Sequence, residues 1–244
     1  MSRYWSDTTV YDQPSARELK NKALASVKRA GKKGKDFEPA VCHTGRGAIC
    51  ESWWGQAWCD NLESYADYSS RLERGKRYVR SGTVIDLKID DGRVTAKVQG
   101  RRRAPYKVEV RVGRLSEESC QKIIDRCTRK IESLEILAGG EFPEELKELF
   151  TDKGGLFPSP KEISFNCTCP DWAMMCKHVA AVMYGIGLRF DENPFYFFKL
   201  RGIDPDRFID VAVENRVEKM LANADVRSDR IIEDADLTDL FGVI

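Results

Sequence analysis

The sequence predicts an α+β fold, in which a small antiparallel β-meander packs with helices and a mostly helical module follows. Three observations support this prediction. Residues 83–112 alternate between apolar and polar side chains, which is the period of half-buried strands. The segments on either side repeat their apolar residues at helical spacing instead. Farther along, residues 167–178 hold three cysteines and a histidine between a short strand and an apolar helix.

The composition is that of a chain with a packed core. Of the 244 residues, 42% are hydrophobic and 10% are aromatic, which is more than a disordered chain carries. No run of about eighteen apolar residues occurs, and residues 1–5 lack the apolar core of a signal peptide. We therefore expect no membrane span and a cytoplasmic location. In that compartment the eight cysteines are expected to be thiols and metal ligands rather than disulfides.

Charge is distributed unevenly, although the formal net charge is only +1. Residues 17–35 hold eight Lys/Arg against one Glu, and residues 71–114 hold fourteen against five acidic residues. Residues 201–244 reverse the balance, with six against eleven. This uneven distribution suits an anionic partner that binds the basic part of the chain, and nucleic acid is the usual candidate. The alternative is that these segments are solvated faces that keep the protein soluble.

Residues 1–50 are predicted to form a basic and partly flexible N-terminal segment. Within it, residues 17–29 have the pattern of a short basic helix. The glycines in residues 31–34 would then end that helix.

An α+β domain is predicted over residues 51–152, and it begins with a helix. Trp54, Trp58 and Leu62 follow an i, i+4, i+8 stripe, which is typical of a face turned to the core. Trp53 lies off that stripe, where it could stack on a base or pack against another element. Packing is the preferred interpretation.

The β-meander is predicted to follow a basic loop at residues 71–80. Residues 83–89 form the first strand, and Asp91-Gly92 is a tight hairpin signal. Residues 94–98 are predicted to form the second, antiparallel strand, and residues 106–112 the third strand of the meander.

The polar face of this sheet and its loops are mostly basic, which predicts contact with the phosphates of a nucleic acid rather than with its bases. The predicted contact residues are Arg71, Arg74, Lys76, Arg77, Arg80, Lys88, Lys97, Arg101, Arg102, Arg103, Lys107 and Arg111.

Two helices are predicted after the meander. The first spans residues 116–139, with Cys120 and Cys127 on its apolar face as small core residues. The second spans residues 143–150 and has proline at its favoured first position.

The second module is predicted over residues 153–224. Its first helix would end at the glycines of residues 185–187, and an aromatic helix at residues 193–200 would pack on it. A last helix would span residues 204–222, and residues 225–244 form an acidic tail.

The cysteines and histidine of this module are spaced as metal ligands. Two thiols separated by one residue can converge on one ion from a turn, and the start of a helix supplies the other two groups. Zinc prefers tetrahedral sulfur and nitrogen ligation, and four protein ligands close its coordination shell. We therefore predict one structural Zn²⁺, with four unmetallated side chains as the alternative. The ligands are Cys167, Cys169, Cys176 and His178, and Trp172 is expected to shield them.

This Cys-x-Cys-x6-Cys-x-His pattern, followed by Val-Ala-Ala-Val and preceded by Leu-Phe-Pro-Ser-Pro-Lys-Glu-Ile, resembles the SWIM zinc finger. Residues 53–55, 74–82 and 98–106 also fit the pattern of the prokaryotic SWIM zinc finger family, so the resemblance covers residues 50–205. It implies zinc on the four ligands and a role in DNA binding or protein contacts. Such proteins are often associated with helicase-like remodelling ATPases. Because this sequence contains no Walker-type loop, ATP hydrolysis would belong to a partner.

Two functions from different classes follow. The leading one is a non-enzymatic zinc protein that binds nucleic acid, with DNA ahead of RNA. The alternative is an adaptor that contacts another protein, for example a helicase-like ATPase. An enzyme is the weakest interpretation, because four ligands leave a catalytic zinc no open position.

A second metal site is a further open interpretation. Cys42, His43, Cys50 and Cys59 would be its ligands, although their spacing fits no standard pattern and is not a feature of the resemblance.

Overall fold

The computed structural model describes most of the chain between residues 14 and 222. The described residues are 14–64, 69–128, 146–151, 154–171, 173 and 175–222. They form an antiparallel sheet with helices, so the predicted α+β class is confirmed.

The helices are α1 (Ala16–Gly31), α2 (Trp53–Ser64), α3 (Ser69–Arg80), α4 (Glu117–Thr128), α5 (Glu148–Thr151), α6 (Lys177–Glu192), α7 (Phe195–Leu200) and α8 (Asp206–Ala222). The strands are β1 (Val84–Asp90), β2 (Arg93–Val98), β3 (Tyr106–Val112) and β4 (Ile163–Cys167), and a 3-10 turn at Pro160–Glu162 precedes β4. No helix in the described part of the chain has both the length and the hydropathy that crossing a membrane requires.

The sheet contains one strand more than the predicted meander. Its order is β1-β2-β3-β4, and each strand pairs with its neighbours in antiparallel register. Gly92 makes the β1–β2 turn with φ of +66°, a conformation that L side chains rarely adopt. The strand before the metal motif pairs with β3, so that Val108 lies opposite Cys167. The sheet therefore fixes the position of Cys167, the first predicted ligand of the motif.

Residues 71–80 belong to helix α3, so the predicted basic loop is wrong. Leu72, Gly75, Tyr78 and Val79 are buried, and they share one face at helical spacing. Charged residues occupy the remaining positions between residues 71 and 80. Because most residues of the segment are charged, this short apolar stripe is hard to recognise in the sequence.

Helix α6 continues to Glu192, so the predicted end at residues 185–187 is also wrong. Gly185 and Gly187 are needed for close packing instead. A methyl group on Gly185 would lie 2.9 Å from Leu87 Cδ1, and one on Gly187 would lie 2.8 Å from Cys50 Sγ. The helix is therefore buried over almost its whole length against the sheet and α2.

The aromatic core lies beside α6. Phe197 of α7 stacks on Phe190 at 3.5 Å between ring centroids, and Trp58 meets both rings edge-on. Trp53 packs edge-on against Phe150 at 5.3 Å, which confirms packing as its role. Cys120 and Cys127 are buried in α4, as predicted. The core is thus built mainly from α2, α3, α4, α6 and α7 against one face of the sheet.

Other predictions have mixed outcomes. The short basic helix at residues 17–29 is confirmed as α1, and the last helix is confirmed as α8. Residues 129–145, which include the predicted start of the second helix, lie outside the described residues, as do Trp172 and the tail.

Candidate metal centre

Four side chains converge at the junction of β4 and α6. The ligand atoms of Cys167, Cys169, Cys176 and His178 all lie within 4.8 Å of one another. Cys167 is the last residue of β4, and Cys169 follows in the next turn. Cys176 is the N-cap residue of α6 with extended backbone, and His178 lies in the first turn of that helix. The structure therefore brings all four predicted ligands together.

The sheet fixes the position of the first two ligands. Beyond the last β4 pairing, the N–H of Thr168 donates to the carbonyl of Lys107, and the N–H of Lys107 donates to the Thr168 hydroxyl. These bonds extend the β3–β4 ladder into the turn between Cys167 and Cys169. Both cysteines are therefore held by backbone geometry rather than by side-chain packing alone.

His178 presents its Nδ1 atom to the sulfur atoms. Nδ1 lies 3.8 Å from Cys176 Sγ and 4.0 Å from Cys167 Sγ. The imidazole packs beside the Tyr106 ring at 4.3 Å and edge-on to the Tyr78 ring at 5.4 Å. Only 2% of the residue is exposed, and its Nε2 has no hydrogen-bond partner among the described residues. A buried imidazole held this way is suited to ligation through Nδ1.

Electrostatics favour a thiolate on Cys176. The hydrogen bond from Cys167 lowers the pKa of the Cys176 thiol against the opposing effect of burial, and His178 and the N–H of Val179 lower it further. The same contact with Cys176, together with burial, raises the pKa of Cys167. Burial raises the pKa of Cys169. A cation is therefore needed before all three sulfur atoms can ionise together, and a bound metal ion would supply that charge.

The donor set fits a metal ion. Three sulfurs and one imidazole nitrogen provide four ligands, which is enough to close a tetrahedral shell. Within the described residues no second group of three such side chains converges in this way. Cys50 and Cys59 face each other at 3.6 Å between their sulfur atoms, whereas Cys42 hydrogen-bonds to Thr44 and to the Ile49 carbonyl. The proposed second metal site is therefore not assembled.

Helix α3 is joined to the metal-binding loop. Arg71 donates to the Asp171 carboxylate at 2.5 Å, and Asp171 also accepts from the N–H of Ala173. Although burial opposes ionisation, these contacts lower the pKa of Asp171. In addition, Gly75 lies against Ala180 near the start of α6. The loop, α3 and α6 thus support one another.

Several of the predicted nucleic-acid contacts are engaged with acidic neighbours. Arg71 pairs with Asp171, Lys76 with Glu63 and Glu73, Lys88 with Glu38, Lys97 with Asp86, and Arg111 with Glu109. Arg80 donates to the carbonyl of Gly47 at 2.6 Å. On the outer face of the sheet, Lys88, Lys97 and Arg111 therefore each have an acidic partner.

Other predicted contacts lie together near the end of the sheet that holds the metal centre. Burial raises the pKa of Tyr78, and the positive charges of Arg77, Arg101 and Arg74 oppose that rise. The three guanidinium groups therefore lie near enough to Tyr78 to influence the ionisation of its hydroxyl. Arg101, Arg102, Arg103 and Lys107 are exposed, and none of the four has an ion pair within the described residues. We call the side chains of Arg74, Arg77, Arg101, Arg102 and Arg103 the basic surface.

Sequence reasoning assigned no role at the metal centre to the residues that flank His178. Tyr78 and Tyr106 flank His178, and Gly100 lies so close that an added methyl group would be 3.1 Å from Nε2. All three belong to the segments that carry the family resemblance, which is the signal that could have identified them. Asp171 lies within the metal motif, but its partner Arg71 is 100 residues away, so no local pattern joins them.

The chain is similar to the uncharacterized protein Rv2102 of Mycobacterium tuberculosis (strain ATCC 25618 / H37Rv). The two sequences are 37% identical over 159 residues, which make up 64% of this chain and 57% of the relative. The chain therefore spans little more than half the length of the curated relative that it matches. No family model and no solved structure matches the chain.

Proposed function

We propose that the protein is a SWIM-type zinc protein that binds nucleic acid, with DNA preferred over RNA, and that it is not an enzyme. Zinc is the metal that best suits three sulfur ligands and one imidazole in a closed shell. Such a shell leaves no position for a substrate or an activated water. The ion would therefore hold the loop after β4 to the start of α6 and take no part in chemistry. We place this function in the cytoplasm.

The observation that carries nucleic-acid binding is the position of the basic surface. Arg74, Arg77 and Arg101 act electrostatically on Tyr78, and Arg102 lies 5.6 Å above the Tyr106 ring. Tyr78 and Tyr106 both contact His178. The metal centre would thus fix the positions of Tyr78 and Tyr106, and with them the neighbouring arginines. The arginines would then be placed to bind phosphate groups.

The proposed interaction is with the phosphate backbone. Each cation that neutralises a phosphate releases condensed counterions, so affinity falls as salt rises. Backbone contacts do not distinguish sequences, and hence we expect similar affinities for unrelated duplexes of equal length.

Fluorescence anisotropy of a labelled DNA duplex, measured from low to physiological salt, tests this proposal. We expect binding that weakens with salt, and a slope of log affinity against log salt that is shallower by about 2.7 in Arg101→Ala/Arg102→Ala/Arg103→Ala, at about 0.9 per contact. Lys122→Ala/Lys161→Ala/Lys199→Ala removes equal charge outside the basic surface and is the matched control. An RNA duplex run in parallel tests the preference. Absence of binding at low salt, or equal slopes in the two triple variants, would overturn the proposal.

A protein–protein adaptor is the second candidate, and the surface of α8 favours it. Val213, Val217, Met220 and Leu221 recur at helical spacing, yet they are 56%, 49%, 65% and 67% exposed. An exposed apolar stripe on a helix is typical of a surface that another protein covers. A helicase-like ATPase is the partner that the family resemblance implies.

Capture of an ATPase from a nuclease-treated lysate of the native cell tests the adaptor. Val217→Glu/Leu221→Glu should abolish this capture while leaving DNA binding intact, and Glu214→Gln/Glu218→Gln on the same helix is the control. Capture that persists in the first variant would exclude α8 as the contact surface.

A further inference from the structure

A groove of about 830 Å³ lies between α1 and α3, and residues 42–45 close one side of it. Arg17 and Lys20 contribute cations from α1. Helix α3 contributes Arg74, Arg77 and Arg80 from the facing wall. Residues 17 and 20 are exposed and were not among the predicted contact residues. The groove thus combines two cationic walls that are far apart in the sequence.

The charge of the groove is strongly positive. Counted over the described residues, its lining holds five cations and one carboxylate, Glu73, which gives these residues a formal charge of +4. Glu73 is also 3.5 Å from Lys76, which lies outside the lining and offsets part of its charge. On α1, the neighbouring Glu18 is engaged with Ser15 at the helix cap. An anion entering the groove would therefore meet little repulsion.

Both walls are fixed in position. Lys22 and Arg29 of α1 donate to the carbonyls of Arg101 and Arg103, which anchors this helix to the loop after β2. Arg80 donates to the carbonyl of Gly47, which ties α3 to the segment that follows residues 42–45. Because the cations do not have to be gathered on binding, the entropic cost of association is reduced.

We propose that this groove binds successive phosphate groups. Arginine and lysine are the side chains that recognise phosphate in proteins, and five of them line one path. Among the described residues, the lining contains the His43 imidazole but no Phe, Tyr or Trp ring on which a base could stack. The ligand is therefore held by its phosphates. This inference rests on the proposed function in one respect, since in that function the phosphates belong to a nucleic-acid backbone.

The experiment compares two probes, a labelled DNA duplex and inorganic tripolyphosphate, on the full-length metal-loaded protein. Arg17→Ala/Lys20→Ala removes the α1 wall, and both side chains are exposed, so the fold is unaffected. Lys32→Ala/Lys33→Ala removes the same charge from exposed positions just beyond the end of α1, outside the groove, and is the matched control. Circular dichroism verifies that both variants are folded.

We expect the salt slope for DNA to be shallower by about 1.8 in Arg17→Ala/Lys20→Ala and unchanged in the control. Equal slopes in both variants, with the slope still shallower in the Arg101–Arg103 triple variant, would contradict phosphate binding in the groove and leave the proposed function standing. Tripolyphosphate binding that depends on the α1 wall, without DNA binding, would support the groove and overturn the proposed function. Binding of neither probe would overturn both.

Discussion

Gly75 of α3 lies directly against Ala180 of α6. A methyl group on Gly75 would be 2.6 Å from Ala180 Cβ and 3.0 Å from its carbonyl carbon. Ala180 is two residues beyond His178, so this close approach of the two helices is next to the metal centre. Only glycine allows α3 to come this near.

Substituting this glycine should therefore destabilise the protein. In an open helix position Gly→Ala stabilises by up to about 1 kcal/mol, but overpacking here should cost about 1–3 kcal/mol. We expect Gly75→Ala to lower the free energy of urea unfolding by about 1–2 kcal/mol. Gly31→Ala is the control, because nothing lies within 4 Å of a methyl group at that helix position. Equal stabilities for the two variants would show that the helices can separate without penalty.

Removal of a metal ligand should release the metal. Purified protein is expected to contain one zinc per chain, and Cys169→Ser and His178→Ala should each lose it. Structural zinc contributes on the order of 10 kcal/mol of folding free energy, so these variants and chelated wild type should unfold around residues 163–200. Elemental analysis and circular dichroism measure both effects. The Cys42 sulfur hydrogen-bonds to Thr44 and Ile49, away from the metal centre, so Cys42→Ser should keep its zinc. Stoichiometric zinc in both ligand variants would contradict the site.

A methyl group at Gly100 should weaken metal binding without touching a ligand sulfur. It would lie 2.5 Å from the Tyr106 ring and 3.1 Å from His178 Nε2. Displacing the imidazole should reduce zinc affinity about 10- to 100-fold, the range found when groups that orient a ligand are changed. Competition with a chromophoric chelator measures this affinity, and Gly31→Ala is again the control. An unchanged affinity would show that the imidazole does not depend on this contact.

The ion pair between Glu162 and Arg201 should make stability depend on pH. Arg201 is 1% exposed, and its guanidinium donates to Glu162 at 2.7 Å and to the carbonyl of Gly113. Burial opposes the charged form of Glu162, but bonds from Ser159 and Arg201 outweigh it and lower the pKa below its usual value near 4.5. A lowered carboxyl pKa stabilises the folded state above about pH 4.5, and this contribution disappears as pH falls through the folded value.

We expect Glu162→Gln to lose about 1 kcal/mol at neutral pH, a figure reduced because the carboxylate is 37% exposed. The deficit relative to wild type should shrink below pH 4.5, and urea unfolding at a series of pH values measures it. Acid acts on the metal ligands equally in both proteins, so their difference isolates this pair. Glu214→Gln on α8 is the control. A deficit that stays constant with pH would contradict the assignment.

Much of the metal centre could be predicted from sequence because its information is local. The four ligands fall within residues 167–178, and their spacing alone indicates a turn followed by a helix. The alternation in residues 83–112 likewise predicts strands and turns without reference to the rest of the chain. Helix α3 is the contrasting case, because its buried face includes Gly75 and only a few apolar residues among many charges.

The remaining features depend on residues that are distant in sequence. In the sequence, Gly187 is typical of a helix end. The structure shows instead that the helix continues and that this glycine allows close packing against Cys50. The pair between Arg71 and Asp171 spans 100 residues. The groove between α1 and α3 also depends on residues that are distant in sequence, because tertiary packing brings its two walls together. No local pattern in the sequence indicates it.

The pairing of β4 with β3 has a consequence for the order of folding. Lys107 and Thr168 are 61 residues apart, yet their mutual hydrogen bonds position the turn between Cys167 and Cys169. Closing such a loop costs entropy before any contact offsets it, so this step is slow compared with forming the hairpins. We therefore expect β4 to join β3 before the four ligands reach their final positions. Metal binding would then be a late step that requires an assembled sheet.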